Sequence, residues 1–242
     1  MRPKAILFDL DDTLISPRHH RTMFWRDAFT EVWEEQLGVD AALPDDLDEL
    51  LATIDASAKH FWSDPTRHRT GRLDLSWARF EILNGGLEQP ERFPEPLRWE
   101  VAERVGALMF DRTTLYDGAI ETLETLKAEG IKLGLITNGT SKAQRAKINR
   151  FELEPHFLHV QIEGEAGIGK PEPEAYRKAL AALEASPGET WIVGDNLEWE
   201  VAAPQRLGFH AIWRCPREIG ELPSGTSVKP DRIVTKLPEL LA

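Results

Sequence analysis

Three aspartates stand close together near the start of the chain, directly after a short apolar run. The run extends from Ala5 to Phe8, and the acids are Asp9, Asp11 and Asp12. Asp9 and Asp11 are separated by one residue, so in an extended chain their side chains point to the same side. Carboxylates placed in this way can bind a metal ion, attack an electrophile or transfer a proton. The spacing therefore indicates a reactive acidic site at a strand end, in which Asp12 is more simply explained as a turn or capping residue.

Further polar residues stand where other apolar runs end. They are Thr137 and Asn138 after "IKLGLI", Asp195 and Asn196 after "WIVG", and Lys170 between a predicted strand and the helix that follows it. In an open parallel sheet, ligands bind beyond the carboxyl ends of the strands, so these groups would meet at one rim. Carboxylates, a hydroxyl and an ammonium group at one rim suit a magnesium ion and a phosphate.

The residue types predict roles in phosphate transfer. We expect Asp9 to attack phosphorus and to bind Mg²⁺ together with Asp195. Asp11 would protonate the leaving alkoxide and then activate water, and it is a further candidate metal ligand. The groups expected to bind the phosphate and to offset its charge are Thr137, Asn138 and Lys170, of which Thr137 and Lys170 are also predicted to be catalytic.

The chain has two parts with different residue patterns. Between about residues 16 and 114, apolar and aromatic residues recur at helical spacing, as in a first predicted helix that ends at Gly38. Residues 1–15 and 115–242 instead alternate strands and helices, which indicates a parallel sheet with helices on both faces. We therefore predict an α/β fold: a doubly wound, Rossmann-like parallel-sheet core of residues 1–15 and 115–242, with an α-helical domain of residues 16–114 inserted into it.

The composition limits the class of protein and its partners. The 242 residues have 41 acidic and 29 basic side chains, a net charge of −12 that disfavours binding to a nucleic-acid backbone. No stretch approaches the roughly 18 apolar residues of a membrane span, and the apolar run at the N-terminus is too short for a signal peptide. The single Cys215 excludes an intramolecular disulfide. We expect a cytoplasmic protein that binds a small phosphate ester and neither nucleic acid nor membrane.

The site residues resemble, in order and spacing, the four motifs of the haloacid dehalogenase-like (HAD) superfamily of hydrolases. The motifs in this chain are "FDLDDTL", "LITNG", "GKPEPEAY" and "VGDNLEWEV". The resemblance implies that Asp9 is the nucleophile and Asp11 the acid/base, and that residues 16–114 form a type 1 cap. "LITNGTSKAQRAKI" and "PDRIVTKLPELL" are also similar to the branch that contains pyrimidine nucleotidases and N-acylneuraminate-9-phosphatases.

Other residues have roles that the resemblance leaves open. Glu200 replaces the second aspartate that is common in the fourth motif, and with Asn196 it could act behind the metal ligands. Pro204 would shorten or kink the helix that follows, because proline removes a backbone hydrogen bond. In the cap, Trp62, Arg67 and Arg69 are candidate contacts for the leaving group, although a solvated basic turn with Trp62 in the cap core explains them more simply.

The leading hypothesis is a magnesium-dependent phosphomonoesterase that forms a phosphoenzyme on Asp9. The alternatives are a 2-haloacid dehalogenase, a phosphosugar mutase on the same scaffold, and a binding protein without catalysis. Dehalogenases of this superfamily usually lack the second aspartate of the first motif, so Asp11 argues against the first alternative. "GEAGIGKP", Gly164 to Pro171, is similar to part of a nucleotide-binding loop, but Pro171 replaces the required Ser or Thr, so we exclude an NTPase. The identity of the substrate and the oligomeric state stay open.

Overall fold

The chain divides into two compact units. The computed structural model describes residues 2–17, 21–37, 47–88, 93–215 and 220–242. One unit contains Met1–Ser16 and Thr114–Ala242, and the other contains Pro17–Thr113. Gly38, the predicted end of the first helix, lies outside the described residues.

The described part of the second unit is helical. Its helices are α1 (Arg21–Leu37), α2 (Leu47–Ser63), α3 (Pro65–Gly71), α4 (Leu75–Gly86) and α5 (Glu95–Asp111). The apolar stripe of α1 buries Phe24, Ala28 and Phe29 in a core that also contains Ile54 and Val101. Helical spacing of large apolar residues thus gives this unit a hydrophobic core of its own.

The first unit contains a six-stranded parallel sheet. Its strands lie in the order β5-β4-β1-β6-β7-β8, while β2 and β3 form a separate antiparallel pair. The strands are β1 (Ala5–Phe8), β2 (Ile15–Ser16), β3 (Thr114–Leu115), β4 (Lys132–Thr137), β5 (His159–Ile162), β6 (Thr190–Gly194), β7 (His210–Arg214) and β8 (Arg232–Val234). The α-helices of this unit are α6 (Ala119–Ala128), α7 (Ser141–Arg150), α8 (Glu163–Ala166), α9 (Pro173–Leu183) and α10 (Ala203–Gln205). The predicted α/β class with a parallel sheet is confirmed.

Strand β1 lies in the middle of the sheet and is buried on both faces. Ile6 and Phe8 belong to the core on one face, and Ala5 and Leu7 belong to the core on the other. The chain runs outward from β1 through β4 to β5 and then returns to β6 on the opposite side of β1. Such a reversal opens a crevice at the carboxyl ends of the strands, where parallel sheets bind ligands. The topology therefore directs attention to the residues that follow β1 and β6.

Two local features differ from the sequence-based expectation or refine it. The β2 and β3 pair, which the residue pattern did not indicate, joins Ile15 to Leu115 and Ser16 to Thr114. The predicted helix after the fourth motif is a π-helical segment, Leu197–Ala202, followed by the three residues of α10. Pro204 lies within α10, in agreement with its predicted effect of shortening the helix.

No helix of the described ranges is long and apolar enough to span a membrane.

The central position of β1 predicts an unequal effect of two identical truncations. Leu7 is fully buried, whereas Leu158 is 68% exposed. Leu7→Ala should lower the free energy of unfolding by about 2–5 kcal/mol, because it leaves a cavity in the core. Leu158→Ala, the matched control, should change it by less than about 0.5 kcal/mol. Urea unfolding measures both, and equal losses would contradict the placement of β1.

Candidate active site

Asp9 follows β1 and its carboxylate is held by two donors. The Lys170 Nζ lies 2.6 Å from Asp9 Oδ1, and the Thr13 Oγ1 donates to Asp9 Oδ2 at 3.0 Å. The backbone N–H of Asp9 donates to the Val193 carbonyl at 2.9 Å, which extends the pairing of β1 with β6 by one residue. The Asp9 side chain is thereby fixed at the reversal in strand order.

Lys170 forms a buried bridge between two carboxylates. Its Nζ is also 2.7 Å from Glu200 Oε1, and the side chains of Lys170 and Glu200 are each only 1% exposed. Burial alone would lower the pKa of Lys170, but the charges of Asp9 and Glu200 raise it above its usual value. The side chain is therefore an ammonium ion, because its two anionic partners replace the water that burial removes.

The loop that contains Lys170 is fastened to the loop after β4 by Asn138. The Asn138 Nδ2 donates to the Lys170 carbonyl at 2.7 Å, and the Lys170 N–H donates to Asn138 Oδ1 at 2.8 Å. A Cβ atom at Gly169 would lie 2.7 Å from Asn138 Oδ1, so this approach requires glycine. Helix α7 is capped by Thr140, whose hydroxyl accepts from the Ala143 N–H at 3.1 Å, rather than by Asn138. Asn138, predicted as a phosphate ligand, thus positions Lys170.

Glu200 contacts the buried Lys170 directly, a role that its place in the fourth motif did not predict. It accepts from the Asn196 N–H at 2.9 Å, and a Cβ atom at Gly194 would come within 2.0 Å of its Cγ. Burial and the charge of Asp9 raise its pKa to about 7, although Lys170 acts in the opposite direction. The side chain of Asn196 caps the π-helical segment by accepting two backbone N–H groups. Asn196 and Glu200 therefore support the site from behind, and Glu200 does so by direct contact with Lys170.

Asp195 follows β6 and is partly exposed. Its carbonyl accepts from the Trp213 indole N–H at 2.6 Å, which anchors the backbone. Burial raises the pKa of Asp195 well above its usual value, and repulsion from Asp9 and Glu200 adds to this effect. Burial also raises the pKa of Asp9 despite the nearby ammonium of Lys170. The site therefore contains more negative charge than its own cation balances.

Asp11 contacts residues that the sequence analysis did not select. The Lys147 Nζ donates to Asp11 Oδ1 at 2.7 Å, and the Gln144 Nε2 donates to Asp11 Oδ2 at 2.8 Å. The same Gln144 nitrogen donates to Thr137 Oγ1 at 2.6 Å. Burial raises the pKa of Asp11, but the charge and hydrogen bond of Lys147 outweigh it and hold the pKa below its usual value. Thr137 and Asp11 are thus brought together by one face of α7.

Asp12 lies in a turn. Its backbone adopts a left-handed conformation with φ of 57°, and its carboxylate accepts from the Ser16 hydroxyl at 2.7 Å. Its carbonyl accepts from the buried guanidinium of Arg214 at 3.3 Å. Asparagine and aspartate tolerate this conformation better than most residues. These contacts fit a structural role for Asp12.

Two of the three candidate specificity residues, Trp62 and Arg67, have partners within the helical unit. Trp62 packs edge-to-face on Phe61 and on His68, with ring centroids 4.9 Å and 5.0 Å apart. The Arg67 guanidinium lies 5.8 Å from the centroid of the Phe61 ring, whereas Arg69 is exposed. Packing within the unit accounts for the positions of Trp62 and Arg67. A role in substrate selection stays a prediction for Trp62, Arg67 and Arg69.

The donor set fits a magnesium ion. Asp9, Asp195 and Glu200 interact electrostatically around the single ammonium of Lys170, so negative charge and oxygen donors are in excess. Within the described ranges, no three Asp, Glu, His or Cys side chains form a ready-made metal cluster, so Asp9, Asp11 and Asp195 are not gathered into one three-carboxylate site. Mg²⁺ usually keeps several waters and needs only one or two carboxylates. Asp9 and Asp195 can supply these.

Comparisons with known proteins agree with this architecture. A family model described as haloacid dehalogenase-like hydrolase matches residues 3–208. A glyceraldehyde 3-phosphate phosphatase of Pyrococcus furiosus is 30% identical over 248 residues, which cover 99% of this chain and 92% of the relative. A phosphoserine phosphatase of Thermus thermophilus is 31% identical over 264 residues, which cover 98% and 97%. A structure of the HAD hydrolase YfnB from Bacillus subtilis bound to magnesium has a TM-score of 0.72 at 21% identity, covers 99% of this chain and 97% of that one, and shares the fold.

The excess of negative charge predicts opposite effects of two substitutions in one cluster. In metal-free protein, Asp195→Asn should raise the urea midpoint, and should do so more as the pH rises and these carboxyl groups ionise, because it relieves repulsion with Asp9 and Glu200. Lys170→Met should lower the free energy of unfolding by about 3–5 kcal/mol, because it leaves buried carboxylates without their cation. Each variant is the control for the other, and a lower midpoint for Asp195→Asn would contradict the charge balance described above.

Proposed function

The chain belongs to the haloacid dehalogenase-like hydrolases and is a phosphatase of that family, and we propose that it hydrolyses a small phosphorylated metabolite with magnesium through an aspartyl-phosphate on Asp9. The observation that carries the proposal is the Asp9 carboxylate, buried at the end of β1 and fixed by Lys170 and Thr13. A carboxylate held in one orientation is prepared to act as a nucleophile.

The first step transfers the phosphoryl group to the protein. A carboxylate oxygen of Asp9 attacks phosphorus, and the bond between phosphorus and the ester oxygen breaks. Asp11 is a carboxylate at rest, because despite burial Lys147 lowers its pKa, so it first takes up a proton from the phosphate ester or from solvent. It then passes that proton to the departing oxygen, which leaves as an alcohol. The buried ammonium of Lys170 and the Thr137 hydroxyl offset the charge on the transferred group. Asn138 contributes by holding Lys170 in place.

The second step returns the protein to its starting state. Asp11, now a carboxylate, accepts a proton from water as the water oxygen attacks phosphorus, and it then releases that proton to solvent, which restores the ionised form that Lys147 favours. The bond between phosphorus and the Asp9 oxygen breaks, and inorganic phosphate is released. Asp9 and Asp195 are the residues that would hold Mg²⁺, which when bound offsets the negative charge of the phosphate. Asp11 has other partners for both of its oxygens, so we assign it to proton transfer.

The substrate class follows from the similarity to phosphatases. The two similar enzymes are named for glyceraldehyde 3-phosphate and for phosphoserine, which are small phosphate monoesters. The similarity to both covers at least 98% of this chain, so it includes the helical unit as well as the sheet. This breadth supports a small phosphorylated metabolite and leaves its identity open. The narrower likeness to pyrimidine nucleotidases and N-acylneuraminate-9-phosphatases stays a prediction.

A screen of phosphate esters tests the proposal. We expect hydrolysis of at least one sugar, amino-acid or nucleoside phosphate in the presence of Mg²⁺, with activity lost on addition of EDTA and restored by excess Mg²⁺. Asp9→Asn should reduce kcat by at least about 10³-fold, because an amide is a poor nucleophile. Full turnover by Asp9→Asn would contradict the proposal, and chloride release from 2-chloroacids that persists in EDTA would instead favour a dehalogenase.

A further inference from the structure

We propose that Lys147 and Gln144 are positioning residues that orient the Asp11 carboxyl group for proton transfer to the leaving oxygen and connect it to the candidate phosphate ligand Thr137. The inference rests on the proposed function and adds two residues to its machinery. Neither residue is among the site residues predicted from the sequence. Both lie on α7, the helix that follows β4.

The four side chains form one closed hydrogen-bonded group. Lys147 and Gln144 each donate to a different oxygen of Asp11, at 2.7 Å and 2.8 Å. Lys147 also donates to Gln144 Oε1 at 3.0 Å, and Gln144 Nε2 donates to Thr137 Oγ1 at 2.6 Å. The Gln144 side-chain amide therefore uses both its oxygen and its nitrogen within the group. Because the two donors support each other, neither can turn away without breaking two hydrogen bonds.

The helix brings these donors to the same face. Gln144 and Lys147 are three residues apart, a spacing that places side chains next to each other on a helix. Gln144 is only 2% exposed, and the side chain of Lys147 is only 17% exposed. Arg145, between them, points elsewhere and pairs with Glu154 and Glu165 at the surface. The buried Gln144 and the partly buried Lys147 on the face toward Asp11 are not required for packing, since apolar side chains would fill that space at lower desolvation cost.

The arrangement leaves Asp11 able to transfer a proton. A carboxylate has about four lone-pair positions, and Lys147 and Gln144 occupy one on each oxygen. Lys147 favours the carboxylate form, in which the remaining positions can take up a proton and face the leaving oxygen, while the two donors restrict rotation of the group. A proton donor must lie within about 2.6–3.2 Å of its acceptor, so the orientation of Asp11 directly affects the rate.

Thr137 is oriented by the same group. Its oxygen accepts the hydrogen bond from Gln144, and its own hydroxyl makes only a long contact of 3.4 Å with the Asn138 carbonyl. The hydroxyl hydrogen can therefore turn toward a phosphate oxygen. Gln144 thus connects the group that binds the phosphate to the group that protonates the ester oxygen.

The test compares two leaving groups in Lys147→Met. An alkyl phosphate releases a strongly basic alkoxide that needs a proton, whereas p-nitrophenyl phosphate releases a stable phenolate that does not. The value of kcat/KM reports the steps up to loss of the leaving group. We expect Lys147→Met to lower kcat/KM by about 10²-fold or more on the alkyl phosphate and by less than about 10-fold on p-nitrophenyl phosphate.

Matched variants separate positioning from general damage. Arg145→Met removes an ion-pairing cation from the exposed side of the same helix and should leave both substrates unaffected. Lys147→Arg should recover part of the alkyl phosphate activity, because it retains a charged donor. In an Asp11→Asn background, Lys147→Met should cause little further loss, because the two residues act through one proton transfer. If Lys147→Met does not fold, Lys147→Gln, which removes the charge and keeps a polar side chain, provides the same comparison.

The outcomes distinguish this inference from the proposed function. The proposed function is tested separately: it predicts that the wild type hydrolyses both esters and that Asp9→Asn hydrolyses neither. Given that result, equal losses on the two esters, or no loss on either, would overturn the positioning role and leave the phosphatase intact. A loss confined to the alkyl phosphate supports it.

Discussion

The buried ammonium of Lys170, between the carboxylates of Asp9 and Glu200, is the interaction on which the rest of the site depends. It lies 2.6 Å from one carboxylate and 2.7 Å from the other, in surroundings from which water is excluded. Removing an ion from water costs several kcal/mol, which only closely placed partners offset. The loops that carry these three residues must therefore place the charged atoms within hydrogen-bond distance of one another. Asn138 and the glycines at 169 and 194 satisfy this requirement by permitting and fixing the close approach of those loops.

The sheet supplies the geometry that makes this meeting possible. Asp9 continues β1, Asp195 continues β6, and the two strands are adjacent and parallel, so their carboxyl ends open at the same rim. The two acids repel each other there, which raises the pKa of Asp195. Such an arrangement lowers stability in the absence of a cation and provides a place for one, as functional sites often do. The repulsion between Asp9 and Asp195 is therefore expected both to destabilise the metal-free protein and to favour the binding of magnesium.

The sequence predicted the sheet better than the connections between site residues. Strands β1, β4 and β6 are recognisable because each is a short apolar run followed by a helical pattern. The β2 and β3 pair was missed because two residues per strand give no periodic signal. Gln144 and Lys147 were missed because a polar residue on a polar helix resembles a solvated one, and only the tertiary structure shows that this face meets Asp11. The signal available in the sequence was the spacing of Gln144 and Lys147, which are three residues apart on the predicted helix directly after the second motif.

The most direct test of the account is the fate of water oxygen in a single turnover. Excess protein is mixed with a phosphate ester in water labelled with ¹⁸O, and both the released phosphate and the peptide that contains Asp9 are weighed by mass spectrometry. If Asp9 forms an acyl phosphate that water attacks at phosphorus, the label appears in the phosphate and Asp9 stays unlabelled. Label in the Asp9 carboxylate with none in the phosphate would show that water attacks carbon, as it does in the hydrolysis of an aspartyl ester, and would contradict attack of water at phosphorus.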